Sequence, residues 1–389
     1  MLQFQEALDI VLKHSYNLEK ENVSLNNCLN RILAEDIISD MDMPPFDKSA
    51  VDGYACKAED INMELEVIET VQAGQTPLKK IKKGQCTQIM TGAPVPDGAD
   101  KIIMVEHVEI NGNKIKAKKN QIKSNICKLA EDVKTGDVVL EKSILIKPQH
   151  IAVLASSGYN KVHVYKNPSV GVFSTGDELV EPDCKPSKSK IRNSNGPQLI
   201  AQVQNLGLEE KYYGIAKDTK KDTLNILKKA LSENDIVLLT GGVSMGKFDF
   251  VPEVLKQAGV EILFSQIAIK PGKPTVFGTI NNKFVFGLPG NPVSSFVLFE
   301  ILVKALIYKL MGFEINPDKI KLPLGKDYIQ KRTGRQSFIP VNIKNGQIFP
   351  VEYHGSAHIN SLSLADGFIS IPAGVDEIKK GELLDVRQI

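Results

Sequence analysis

Two glycine-rich turns in the sequence combine small residues, hydroxyls and carboxylates in a pattern suited to binding an anionic group. The first is Thr175-Gly-Asp-Glu178, and the second is Thr240-Gly-Gly-Val-Ser244, with Asp249 shortly after it. Each follows an apolar run typical of a buried parallel strand, at 170–174 and 236–239. Glycines and hydroxyls at a strand's carboxyl end let an anion approach backbone N–H groups. Because the second turn matches neither the P-loop nor the dinucleotide fingerprint, this stretch alone leaves a plain βα turn equally open.

The acidic residues of these turns predict a cation. If both turns lie at one sheet edge, Asp177, Glu178 and Asp249 converge there. Two carboxylates about 4 Å apart repel by roughly 4 kcal/mol at an effective dielectric constant of about 20. Hard oxygen ligands beside an anionic substrate favour Mg²⁺.

Two further loops carry groups that bind anions. Lys270-Pro-Gly-Lys-Pro274 is a stiff loop that presents Lys270 and Lys273 to a phosphate or another tetrahedral oxyanion. In Pro289-Gly-Asn-Pro-Val-Ser294, Asn291 and Ser294 lie at the start of a long helix, where unpaired N–H groups attract anions. A helix-start role without a ligand is equally open for Ser294. Together these parts favour metal-assisted attack at a phosphoanhydride or phosphoester. No activated nucleophile is visible, because no His forms a catalytic constellation with a Ser or Cys, and this disfavours covalent catalysis.

The elements that must position these loops alternate between strand and helix. Apolar periodicity predicts a helix from Asn195 to Leu206, another over 251–257, and a hairpin of 275–280 and 283–288 turned at Asn281-Asn282. This alternation predicts a doubly wound, mostly parallel sheet with its ligands at the carboxyl ends of the strands. The apolar stretch 294–311 contains Glu300 and Lys304 as an i,i+4 pair, which predicts a core helix and not a membrane span.

With 389 residues, the chain is too long for one ordinary domain. The pattern predicts an α/β multidomain protein in which the sheet domain is joined by a mainly β domain, a small helical connector domain and a C-terminal β domain. The predicted boundaries are 1–40 with 133–167 for the discontinuous connector, 41–132 for the β-rich domain, 168–313 for the α/β domain and 314–389 for the last domain.

Composition excludes several classes of protein. The net charge of only +2 implies no strong field for nucleic acid or membrane. The five scattered cysteines contain no Cys-x-x-Cys pair, which argues against a disulfide framework and a zinc site. His354 and His358 have metal-like spacing, but the intervening Gly355-Ser356 predicts a turn. The acidic, signal-free start of the sequence favours a cytoplasmic enzyme.

The motifs, taken in order, resemble those of the molybdopterin molybdenumtransferase family, that is, the MoeA proteins and the E domain of gephyrin. The matching stretches cover nearly the whole chain: Pro45 to Ala55, Thr91 to Pro96, Ser174 to Leu179, Ile191 to Asn195, Thr240 to Gly246, Lys270 to Pro274, Leu288 to Ser294, Thr333 to Phe338 and Gly355-Ser356.

This resemblance implies a four-domain subunit of an elongated homodimer that inserts molybdate into adenylylated molybdopterin and releases AMP in a Mg²⁺-dependent step. It also implies a site shared between subunits, in which the α/β domain of one faces the β domain carrying Asp52, Thr91 and Asp132 of the other. A molybdopterin adenylyltransferase and recipient molybdoenzymes are further expected partners.

The predicted site residues fall into three roles. The catalytic set is Asp52, Glu178, Asp249, Lys270 and Lys273. The metal ligands are Asp177, Glu178 and Asp249. The substrate-binding set is Thr91, Asp132, Ser174, Thr175, Gly241, Gly242, Ser244, Pro289, Gly290, Asn291, Ser294, Arg335 and Ser356, of which Arg335 and Ser356 are expected to contact molybdate.

One segment departs from the family pattern. Cys127 and Ala130 stand where the family tends to show Arg and Gly, so a positive charge facing the pterin phosphate is absent from that loop. Two other functions stay open. A molybdopterin adenylyltransferase would not need the extra β domain, and a gephyrin-like scaffold would not need intact carboxylates and lysines.

Overall fold

The structure is a computed structural model that describes residues 1–118, 122–243, 250–314, 319–330, 333–352 and 358–389, without the side chain of Lys319. Within these ranges, none of the helices combines the length and the apolar character needed to cross a bilayer.

The chain begins with a helix that packs on the main core. Helix α1 (Phe4–Lys13) starts where the Gln3 N–H donates to the Glu6 carboxylate at 2.7 Å, and it buries Ala7 and Val11. Strands β1 (Lys20–Ser24) and β2 (Ile37–Ile38) follow.

Between Lys48 and Cys127, the described residues form a unit of short strands. A six-stranded sheet in the order β7-β4-β6-β5-β9-β8 is its centre, and β3 pairs separately with β10. The β8–β9 hairpin turns at Gly112 and Asn113, as the Asn-Gly signal predicts. The strands are β3 (Lys48–Ser49), β4 (Gly53–Cys56), β5 (Glu64–Val71), β6 (Gln85–Ile89), β7 (Lys101–Met104), β8 (Val108–Asn111), β9 (Lys114–Ala117) and β10 (Ile126–Cys127).

After β10, the chain returns to the N-terminal strands β1 and β2. It adds β11 (Val138–Leu140), α2 (Pro148–Ser156) and β12 (Lys161–Tyr165). Strand β11 pairs with β2, and β12 pairs with β1, both antiparallel. The β unit is therefore inserted between two passes of the chain.

The α/β unit contains a six-stranded sheet in the order β16-β13-β17-β21-β20-β18. The first four strands run parallel, and β20 and β18 add an antiparallel edge. The predicted hairpin is present, with Asn281 and Asn282 at φ of 46° and 60°. The strands of this region are β13 (Val170–Thr175), β14 (Leu179–Val180), β15 (Ile191–Arg192), β16 (Glu210–Ala216), β17 (Ile236–Thr240), β18 (Glu261–Phe264), β19 (Ile269–Lys270), β20 (Val276–Ile280) and β21 (Lys283–Leu288).

Helices cover both faces of this sheet. In β17, Ile236 and Leu238 lie in one apolar cluster, while Val237 and Leu239 lie in another on the opposite face. A strand buried on both faces needs a continuous apolar run, which is what the sequence has there. The helices are α3 (Asn195–Gln204), α4 (Lys220–Glu233), α5 (Val251–Gln257), α6 (Pro292–Leu298) and α7 (Lys304–Leu310).

A π-helical segment, Phe299–Val303, joins α6 to α7. The predicted pair is present in this core helix, because Lys304 Nζ lies 3.0 Å from the Glu300 carboxylate.

The C-terminal region forms a sheet in the order β19-β24-β26-β28-β22, with β25 on β24. Its edge strand β19 comes from the α/β region and pairs in parallel with β24. The strands are β22 (Lys319–Pro323), β23 (Tyr328–Ile329), β24 (Gln336–Lys344), β25 (Gln347–Pro350), β26 (Gly367–Ile371), β27 (Glu377–Ile378) and β28 (Leu383–Gln388). Short 3₁₀ turns lie at Leu25–Asn27, Ala58–Asp60, Val105–His107 and Ile359–Leu364.

Candidate functional site

A cleft of about 420 Å³ lies where β13, β17 and β21 end. It brings together both glycine-rich turns and the start of α6, as the sequence predicts for loops at the carboxyl ends of parallel strands. Its walls are Thr175, Gly176, Glu178, Ile191, Asp218, Gly241, Gly242, Val243, Pro274, Pro289, Gly290 and Asn291.

Gly241 has no room for a side chain. Its φ is +93°, and a Cβ there would lie 2.4 Å from the Thr175 carbonyl oxygen. Gly242 also has a positive φ, of +63°. The turn therefore exposes backbone to the cleft, as expected for a site that a phosphate approaches closely.

The Thr175 hydroxyl is buried and has no hydrogen-bond partner within the described ranges. Leaving a buried hydroxyl unpaired costs about 1–3 kcal/mol. Thr175 also lines the cleft, so this unpaired hydroxyl lies at the edge of the space that a ligand would occupy.

Ser174 does not line the cleft. Its side chain is fully buried, where it donates to Asn193 Oδ1 at 3.1 Å and lies 3.1 Å from the Thr240 hydroxyl. Asn193 in turn donates to the Tyr212 hydroxyl at 2.8 Å. In place of the predicted direct substrate contact, Ser174 supports the cleft floor from below, because successive residues of a strand point to opposite faces.

The acidic side of the cleft includes a residue that the sequence analysis missed. Asp218 lies just after β16, and its carboxylate accepts the Asp177 N–H at 3.1 Å. The Asp177 carboxylate accepts the Asp218 N–H at 3.2 Å. Lys190 Nζ donates to the Asp177 carbonyl oxygen. The signal that could identify Asp218 is its place two residues after β16, a strand that runs parallel to β13.

The Glu178 carboxylate lies over the backbone of Gly176. A Cβ on Gly176 would lie 2.6 Å from Glu178 Oε2. The glycine thus leaves room for the carboxylate at the cleft wall.

At the start of α6, Pro289, Gly290 and Asn291 reach the cleft, whereas Ser294 is buried one turn further on. Asn195, also absent from the predicted site, donates from Nδ2 to the Gly290 carbonyl at 2.8 Å and so fixes this wall.

The lysine loop forms a second recess of about 380 Å³ beside the cleft. We call it the cationic pocket, and it is lined by Met1, Lys270, Lys273, Gly334 and Arg335. The β19–β24 pairing brings the two lysines and the arginine together, and Arg335 Nη1 also donates to the Ile269 carbonyl at 3.1 Å. Lys273 lines this pocket and the next residue, Pro274, lines the cleft, so one loop contributes to both recesses.

Asp52 and Thr91 form a pair in the β unit. The Asp52 carboxylate accepts the Thr91 N–H at 2.7 Å and its hydroxyl at 2.8 Å. These bonds, the backbone one first, hold the pKa of Asp52 below its usual value. Among the described residues, the walls of the cleft come from the α/β unit, so within one chain this pair does not line it.

Asp132 lies in a separate groove of about 760 Å³ in the β unit, with Lys48, Cys127 and Glu131 among its walls. Burial, and then a hydrogen bond with Glu131, raises the pKa of the Cys127 thiol. Cys127 is therefore a neutral group in this groove.

Three predicted residues, Ser244, Asp249 and Ser356, lie outside the described ranges, as does His354. In the part of the chain that is described, no three His, Cys, Asp or Glu side chains are arranged to hold a metal ion.

Three family models match the chain in order. They are the MoeA N-terminal region (domain I and II) over residues 2–158, the probable molybdopterin binding domain over 171–309 and the MoeA C-terminal region (domain IV) over 321–389.

Similar proteins carry the same names. The molybdopterin molybdenumtransferase of Staphylococcus epidermidis is 36% identical over 398 residues, covering 99% of this chain and 95% of that protein. The enzyme of the same name from Staphylococcus aureus is 36% identical over 395 residues, with 98% and 94% covered. The crystal structure of the molybdopterin biosynthesis moeA protein from Pyrococcus horikoshii OT3 superposes with a TM-score of 0.87 at 33% identity, covering 100% of both chains.

Proposed function

The chain belongs to the MoeA family and is an enzyme of molybdenum cofactor biosynthesis, of the molybdopterin molybdenumtransferase type, and on this premise we propose how its two recesses divide the substrates. The cleft binds the nucleotide phosphate of adenylylated molybdopterin, and the cationic pocket binds molybdate. Molybdate is then inserted and AMP is released.

The observation that supports this division is the loop that contributes to both recesses, with Lys273 in the pocket and Pro274 in the cleft. The cleft offers backbone N–H groups and the free Thr175 hydroxyl, which suit a phosphate. The pocket offers three side-chain cations, which suit a compact dianion. An oxyanion in the pocket would therefore lie next to the reacting part of the bound nucleotide.

Magnesium fits the acidic side of the cleft by donor chemistry. Mg²⁺ is usually held by one or two carboxylates together with substrate phosphates and water, and not by a full protein cage. Asp218 and Glu178 would supply those carboxylates. Asp218 is held beside Asp177, because each carboxylate accepts the N–H of the other residue. When bound, the ion would neutralise charge on the phosphate that leaves.

We further propose that the site is completed by a second subunit of a homodimer. Asp52 and Thr91 are exposed and already paired, but they lie apart from the cleft of their own chain. A partner's β unit seated over the cleft would bring such a pair to the substrate. A two-fold dimer would then contain two equal sites.

The two rival functions are less well supported. A lone adenylyltransferase domain does not require the β units that flank 171–309, which the family models match here. A pure scaffold does not require three cations and paired carboxylates at recesses that share a loop. A cytoplasmic location, delivery of substrate by an adenylyltransferase and transfer of the product to molybdoenzymes follow from the proposed reaction.

The reaction is tested by AMP release from adenylylated molybdopterin with molybdate and Mg²⁺. We expect Glu178→Gln to abolish release while the protein stays folded. Glu181→Gln is the matched control, because Glu181 lies three residues away and bonds to Tyr212 at 3.0 Å. Equal release by wild type and Glu178→Gln would remove this carboxylate from the reaction.

The shared site is tested by mixing two inactive variants, Asp52→Asn and Glu178→Gln. If each site takes these residues from different subunits, a mixed dimer has one intact site. Random exchange would then restore about a quarter of the wild-type activity. A mixture that stays inactive, although exchange is verified, would place both residues in sites formed by single subunits.

A further inference from the structure

The peptide that carries Lys270 contacts two neighbouring segments. On one side, β19 pairs with β24 over only two residues, Ile269 with Gln336 and Lys270 with Ser337. From another direction, the Leu2 carbonyl accepts the Ala268 N–H at 2.7 Å. The lysine loop is thus held by the first residues of the chain as well as by the C-terminal sheet.

The first residues also contact β24, the strand that begins directly after Arg335. The ring of Phe4 meets that of Phe338 edge-on, with centroids 5.2 Å apart and planes at 72°. Phe338 is buried in the main core. Leu2 therefore contacts the residue before β19, which carries Lys270, and Phe4 contacts β24, which begins directly after Arg335.

The cationic pocket needs such support. Like charges repel, so the three cations Lys270, Lys273 and Arg335 need a frame that holds them around one pocket. The pairing of β19 with β24 covers only two residues and provides few hydrogen bonds to oppose this repulsion. An aromatic pair anchored in the core is less easily displaced.

We propose that Phe4 is a positioning residue for the oxyanion, which sets the separation between Lys270 and Arg335 through its contact with Phe338. The Leu2 carbonyl is the second anchor. This inference rests on the proposed function of the cationic pocket as the molybdate site. Phe4 itself contacts no substrate in this proposal.

The test measures molybdate binding and AMP binding separately, by titration of the full-length protein. We expect Phe4→Ala to weaken molybdate binding about fivefold, which corresponds to about 1 kcal/mol at 1.4 kcal/mol per factor of ten. AMP binding in the cleft should change by less than about twofold. Phe4→Leu, which refills the space, should recover most of the molybdate affinity.

Val11→Ala is the matched control, because Val11 is fully buried on the same helix, two turns from Phe4. It should lower the thermal midpoint and leave molybdate affinity unchanged. Equal loss of molybdate affinity in Val11→Ala and Phe4→Ala, or no loss in Phe4→Ala, would overturn the positioning role. If Lys270→Ala binds molybdate like wild type, the pocket assignment is wrong instead.

Discussion

The tight turn at Gly241 gives a sharp test of how the cleft is built. An alanine there meets two separate obstacles, the backbone angle of +93° and the Thr175 carbonyl oxygen 2.4 Å from the new Cβ. Gly74 offers a matched control. Its φ is +82°, but nothing lies within 4 Å of a Cβ at that position.

The two costs can be estimated separately. Left-handed backbone costs an alanine about 1–2 kcal/mol, and both variants carry this cost. Overpacking adds typically about 1–3 kcal/mol, and only Gly241→Ala carries it, because a strand carbonyl cannot move without shifting β13. The lower entropy of the unfolded alanine chain favours both variants equally.

Thermal unfolding of the two variants measures the difference. For a domain of this size, 1 kcal/mol corresponds to about 2–4 °C, so Gly241→Ala should unfold several degrees below Gly74→Ala. AMP release should also fall in Gly241→Ala alone, since the displaced carbonyl belongs to Thr175. Equal midpoints and equal activity for the two variants would refute the close packing of these turns.

Three other predictions concern single groups. Thr175→Val should not lower stability, yet it should weaken AMP binding about tenfold or more, because a hydrogen bond to a charged group is worth about 1.5–3 kcal/mol; unchanged binding in titration would contradict this. Burial raises the pKa of Cys56 and Cys86 to about 12, so both stay protonated at pH 8. Mass spectrometry after alkylation should therefore find them unmodified while exposed Cys184 reacts. The Lys128 ammonium and the Leu129 N–H lower the pKa of Asp47, so its stabilising effect should persist above the ordinary carboxyl pKa and disappear as pH falls through the lowered value. In urea unfolding, wild type should therefore be more stable than Asp47→Asn at pH 7 and 5, and the difference should shrink at pH 3.

Much of the α/β unit could be predicted because its local signals are strong. Four consecutive apolar residues at 236–239 identify a strand that is buried on both faces. Asn281-Asn282 identifies a hairpin turn. The turns after β13 and β17 were correctly expected to meet, because parallel strands end at one edge.

The remaining features depend on topology that the sequence does not display. Asp218 joins the cleft because β16 lies beside β13, a neighbour relation that no local pattern encodes. Ser294 was expected at the cleft, but α6 enters the core after Asn291, and Ser295 there contacts Gln198 of α3 at 3.5 Å. Arg335 meets Lys270 only through the β19–β24 pairing.

The inserted β unit leaves and re-enters the rest of the chain at one place. The Met43 N–H donates to the Val133 carbonyl at 2.8 Å, and the Val133 N–H returns a bond to Met43 at 3.1 Å. The chain therefore enters and leaves the β unit at two hydrogen-bonded, adjacent residues. A short Gly-Ser linker could replace residues 44–132. Neither recess is lined by a described residue of this range, so the shortened polypeptide would show whether the rest of the chain binds its ligands without the inserted β unit.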